Sequence, residues 1–106
     1  MGYGMIAVKS CLKVVCFASF LGASSLALAD AAAGKEKSAL CAGCHGADGI
    51  SLVDEIPNLA GQKEAYLAKV LGDYRSGTRR NPIMSSIAQG LSDEDIRDLA
   101  AYFSSL

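Results

Sequence analysis

From Gln62 to Ser76 the apolar side chains return at helical spacing. Tyr66, Leu67, Val70, Leu71 and Tyr74 share one stripe, and Gly77 supplies a stop. The spacing predicts a helix whose stripe faces a core. A second pattern starts at Ser92, where Ile96, Leu99, Ala100 and Phe103 form the buried face. Ser92 and Asp95 have capping-box spacing, with Leu91 and Ile96 at the staple positions. Asp93, Glu94 and Asp95 put negative charge on the positive helix end. Between these two, Asn81 and Pro82 read as the cap and first position of a short helix. Met84, Ile87, Ala88 and Leu91 follow at i, i+3, i+4 and i+7, and Gly90 ends the turn. Upstream, Asp30 can cap an alanine-rich helix running towards Cys41. Gly34 within it costs ~1 kcal/mol relative to alanine. It marks either a close approach by another helix or a helix that begins later. No stretch alternates as a strand would, and there is no internal repeat. The pattern predicts an all-α fold.

The first 29 residues obey a different pattern. Lys9 and Lys13 precede an uncharged run from Val14 to Ala29 that includes Phe17, Phe20, Leu21 and Leu26. Ala27-Leu28-Ala29 then supplies small residues before a cleavage point. This predicts a secretory signal peptide over residues 1–29 and one domain over 30–106, with Asp30 first in the mature chain. Cleavage after Ala31 or Ala33 is the alternative. A spanning helix needs ~20 apolar residues, and this run is shorter and rich in Ala, Ser and Gly. No permanent membrane anchor is therefore expected, and Cys16 lacks the flanking residues of a lipidated cysteine. The expected location is the periplasm.

Without the signal, eight basic side chains face eleven acidic ones. The whole chain is near neutral, which argues against a general nucleic-acid binder. A domain this small builds only a marginal apolar core on its own.

The candidate chemistry lies in Cys41-Ala42-Gly43-Cys44-His45. Two thiols three positions apart with histidine directly after them form the attachment signature of a c-type haem. Each cysteine can add to one vinyl group of the porphyrin and form a thioether. His45 then lies under the iron and can bind it through an imidazole nitrogen. A thioredoxin-like reading needs a βαβ setting that is absent here. Structural zinc needs four ligands, and no His or Cys follows these three. The cofactor expected is one haem c, held through Cys41 and Cys44. It would complete the small core, so the haem-free chain is expected to fold poorly.

For the opposite face of the iron there is no second histidine. Met84 is the single methionine after the signal, between Pro82 and Gly90. A lone methionine is usually core filler, but a thioether suits haem iron, and Met/His ligation raises the reduction potential. Lysine or the chain terminus are the outside candidates. The backbone carbonyl of Pro57 is a candidate acceptor for the other ring nitrogen of His45.

Taken together, these pieces resemble class I c-type cytochromes, especially small soluble bacterial ones and the single-haem halves of dihaem cytochromes. The matching stretches are Cys41 to Gly49, Pro57-Asn-Leu-Ala-Gly-Gln62, Tyr66-Leu67, Tyr74-Arg75-Ser-Gly77, Met84, Leu91 to Ile96 and Ala100-Ala-Tyr102. They cover nearly all of the domain. The resemblance implies helices wrapped round one covalently attached haem, with N- and C-terminal helices crossing. It implies His45 and Met84 as axial ligands, Pro57 as carbonyl partner, and Gly34 opposite Tyr102 at the crossing. Ser38 stands where the family usually has an aromatic residue, which implies a looser crossing.

The function this implies is a soluble one-electron carrier rather than an enzyme. Its donor would be a quinol-oxidising complex, and its acceptor a terminal oxidase or periplasmic reductase. A haem subunit of a larger oxidoreductase is the alternative. A gas-binding or catalytic haem protein would need an open sixth site, and no acid–base pair stands ready for it. Arg79 and Arg80 read either as a steering patch for an acidic partner or, preferred here, as a solvated loop, with Arg75 near a haem propionate.

Overall fold

The computed structural model describes residues 1–2 and 28–106. The expected signal segment lies almost wholly outside the described residues. Five helices follow in order: α1 Ala31–Lys37, α2 Ala39–His45, α3 Glu64–Ser76, α4 Pro82–Gln89 and α5 Asp93–Ser104. No strand occurs among the described residues.

Asp30 caps α1 as its sequence position predicts, its carboxylate accepting from the N–H groups of Ala32 and Ala33 at 2.9 and 3.1 Å. The helix expected to run on to Cys41 instead divides at Ser38. Ser38 keeps right-handed backbone angles, but its hydroxyl donates back to the Lys35 carbonyl at 2.6 Å. Such a back-bond competes with the helical ladder and bends the chain. α2 then carries the cysteine–histidine motif and ends at Gly46, where φ is 87°.

α1 packs most extensively on α5. A Cβ on Gly34 would lie 2.0 Å from the Asp98 carbonyl oxygen and 2.8 Å from Tyr102 Cβ. Glycine therefore lets two backbones touch, and the crossing stays close despite Ser38. The core is small: Leu67 of α3 with Leu99, Ala100 and Phe103 of α5, flanked by Cys41, Leu59, Leu71, Leu91 and Tyr102.

α3 starts two residues later than its apolar spacing predicts. Gly61 turns at φ 73°, and its N–H donates to the Phe103 carbonyl at 2.9 Å. Gln62 N–H donates to Leu59 and so belongs to that turn rather than to the helix. α4 and α5 begin where the sequence places them. Asn81 accepts from Ile83 and Met84, and the Ser92–Asp95 capping box closes with both bonds at 3.0 Å.

One ionised group is deep in the α1–α5 contact. Asp98 is 1% exposed. It accepts from Lys37 Nζ at 2.7 Å and from the Asp30 backbone N–H at 2.8 Å. These two donors, Lys37 first, hold its carboxyl below the usual range. Lys37 also reaches Asp95 at 2.9 Å, and the two carboxylates, Asp98 first, raise its own pKa.

Candidate functional site

α2 sets Cys41, Cys44 and His45 at i, i+3 and i+4, the spacing that shares one helix face. His45 is buried, and its Nδ1 lies 2.7 Å from the Pro57 carbonyl oxygen. A carbonyl only accepts, so Nδ1 carries the ring proton and Nε2 keeps its lone pair. The bond closes a loop between residues twelve positions apart. That loop is held by Gly49, whose carbonyl accepts from both Leu59 and Ala60. Cys41 is half-buried against the core and Cys44 is exposed. Burial pushes the Cys41 thiol above its ordinary pKa.

These groups open onto a cleft of about 410 Å³. α3 contributes Tyr66, Leu67, Val70, Leu71 and Tyr74, and α5 contributes Leu99, Ala100 and Phe103. Met84 and Ile87 of α4 complete the wall, with Ile56, Pro57 and Leu59 from the loop. The structure thus brings Cys41, Cys44, His45, Pro57 and Met84 to a single cleft. The charged residues lining it are Glu55 and Arg79.

Arg79 is the site residue that sequence reasoning missed. Its guanidinium lies 5.0 Å over the Tyr74 ring, with the Tyr66 side chain alongside. Tyr66 and Tyr74 stand eight residues apart on one face of α3. A cation just past the end of that helix can fold back over them, and this was the available signal. Arg75, expected near an anionic group of the cofactor, points elsewhere. It donates to the Leu91 carbonyl at 3.0 Å and pairs with Asp93, so it ties α3 to the start of α5.

The family model for cytochrome c matches residues 31–106. The chain belongs to the cytochrome c family. It is 51% identical over 79 residues to cytochrome c-554(548) of Halomonas halodenitrificans, covering 72% of this chain and 95% of that protein. It is 49% identical over 87 residues to cytochrome c4 of Pseudomonas aeruginosa, covering 80% of this chain but 43% of that protein. The crystal structure of reduced cytochrome c4 from Pseudomonas stutzeri superposes with a TM-score of 0.69 at 44% identity, over 73% of this chain and 45% of that one. This cytochrome therefore spans nearly the whole of one relative and about half the length of the cytochromes c4.

Membership brings a covalently bound haem c, with Cys41 and Cys44 at the attachment positions. The cleft fits that group on its own chemistry. It offers two thiols, an imidazole, a thioether and largely apolar walls. Its volume lies within the ~300–1,000 Å³ of cofactor sites. Arg79 places a cation on the same wall.

Proposed function

We propose that this cytochrome is a soluble one-electron carrier of the periplasm, released from its signal peptide between Ala29 and Asp30. His45 and Met84 are its axial ligands. The observation that carries this reading is the gathering of imidazole, thioether and both thiols in one apolar cleft. If His45 and Met84 both hold the iron, no position would be left open for a substrate. This favours a carrier over an enzyme.

When bound, the haem iron supplies reversible one-electron oxidation and reduction. The chain's own residues set the conditions. Cys41 and Cys44 hold the cofactor covalently. The Pro57 carbonyl fixes the tautomer and ring orientation of His45. Leu67, Leu99, Ala100 and Phe103 exclude water from the inner wall. Three cleft-lining apolar residues, Leu40, Tyr66 and Ile83, are 58, 49 and 62% exposed. They form an apolar rim where a redox partner can approach the cofactor edge. The partners proposed are a quinol-oxidising donor and a terminal oxidase or periplasmic reductase as acceptor.

Optical and magnetic circular dichroism spectra of the purified protein, oxidised and reduced, with and without carbon monoxide, test the reading. A low-spin haem with the weak red sulfur-to-iron band and no rapid carbon monoxide uptake is expected. A high-spin haem that takes up carbon monoxide readily would remove Met84 from the iron and end the carrier assignment.

A further inference from the structure

We propose that the buried Asp98 carboxylate is the receptor for the α-ammonium group created when the signal peptide is removed between Ala29 and Asp30. The inference rests on the processing point named above and assigns it a structural role.

The charges around Asp98 do not balance without it. From α1, Lys37 is the cation in contact, and Asp98 and Asp95 of α5 share it. Arg97 acts only at longer range. Two carboxylates therefore divide one ammonium, and one of the two is 1% exposed. The other donor to Asp98 is the backbone nitrogen of Asp30, at 2.8 Å from Oδ1. In the unprocessed chain that nitrogen is a neutral amide. Hydrolysis of the Ala29–Asp30 bond by a leader peptidase consumes one water. Ala29 leaves with the new carboxylate, and the Asp30 nitrogen keeps the amine, which takes up a proton at neutral pH. The same atom then presents three donors and a positive charge. One donor keeps Asp98, and the others face water, because Asp30 is exposed.

The two residues just before the bond are not packed against the fold. Ala29 is exposed and Leu28 is 88% exposed. The first backbone bond of α1 runs from Gly34 N–H to the Asp30 carbonyl at 2.9 Å. The folded unit thus begins at Asp30, and the scissile bond lies outside the packing. Cleavage after Ala31 or Ala33 would delete both the helix cap and the donor to Asp98, so the geometry selects one of three sequence-compatible points. An ammonium at the positive end of a helix is unfavourable by itself. Here the Asp30 carboxylate at the cap and the Asp98 carboxylate beneath offset it.

The test uses the exported holoprotein. Intact mass first gives the terminus. The α-amine is then titrated by its acylation rate from neutral to alkaline pH, in wild type and in Asp98→Asn. The expected results are a chain beginning at Asp30 and an α-amine pKa about one unit or more above the ordinary ~8. Asp98→Asn brings it back towards the ordinary value. A second variant inserts one alanine before Asp30, so that the mature chain keeps an amide at this atom. Its thermal midpoint is expected to fall below that of wild type. A terminus other than Asp30 overturns the processing point and the proposal together. An Asp30 terminus whose amine titrates normally overturns the receptor role alone. Should Asp98→Asn not fold, the wild-type titration and the alanine insertion still decide.

Discussion

Replacing Gly34 by alanine places a methyl group where two backbones already meet. The new Cβ would lie 2.0 Å from the Asp98 carbonyl oxygen and 2.6 Å from its carbon. Both are backbone atoms, so no flexible side chain can swing aside. Ordinary contact begins near 3.4 Å, and α1 must therefore move off α5 by roughly an ångström or more. That movement pulls Asp30 and Lys37 away from Asp98. Overpacking of this kind costs about 1–3 kcal/mol, and the rigidity of both partners puts this site at the upper end. Alanine returns up to ~1 kcal/mol of helix propensity. The net expectation is a loss of about 2 kcal/mol. For a domain of this size 1 kcal/mol corresponds to about 4–8 °C, so the midpoint should fall by about 8–16 °C. The assay is far-ultraviolet circular dichroism melting of the oxidised holoprotein. Gly72→Ala is the control, since a Cβ there meets nothing within 4 Å. It should gain about 0.4–1 kcal/mol. A Gly34→Ala protein that melts at or above the wild-type temperature would refute the argument.

Met84→Ala should convert the haem to a species that binds carbon monoxide and should lower the reduction potential, both read by redox titration with optical detection. Arg79→Gln removes a cation from the cleft and favours the more positive oxidised state. Its potential should drop by an amount on the order of tens of millivolts, and an unchanged potential would place Arg79 away from the cofactor. The carboxyls of Asp93, Asp95 and Asp98 are all held low, by Arg75, by the Ser92 N–H and by Lys37 respectively. Their contribution is complete above the unfolded value of ~3.9 and disappears as pH falls through the lower folded values. Acid melting curves of the holoprotein should therefore steepen below that point, and less so in Asp98→Asn. The Cys41→Ala, Cys44→Ala protein, made without haem, should show no cooperative thermal transition.

How much of this was legible in the sequence depended on whether the cause was local. α3 and α5 announced themselves because their stripes repeat over three turns. The caps at Asp30, Asn81 and Ser92 follow from a single side chain and its near neighbours. The haem motif is local too, so its residues could be named before any fold was known. Met84 was reachable by elimination. The break at Ser38 was not, because an alanine-rich flank argues for an unbroken helix and the back-bond to Lys35 is a matter of geometry. The late start of α3 depends on Phe103, far along the chain. Asp98 gave no signal, because charged residues are seldom buried unless paired. Its partners lie 61 and 68 residues away in sequence. The placement of Arg75 depends on Leu91 and Asp93, 16 and 18 residues further along the chain.

The main buried cluster of the core, Leu67, Leu99, Ala100 and Phe103, also lines the cleft. The other buried apolar residues among those described are Ala88 and Ile96. Because most of the core lines the cleft, loading and folding are expected to be coupled. A chain that has met no haem would then expose its helices to proteases. The yield of folded protein would then follow the supply of haem.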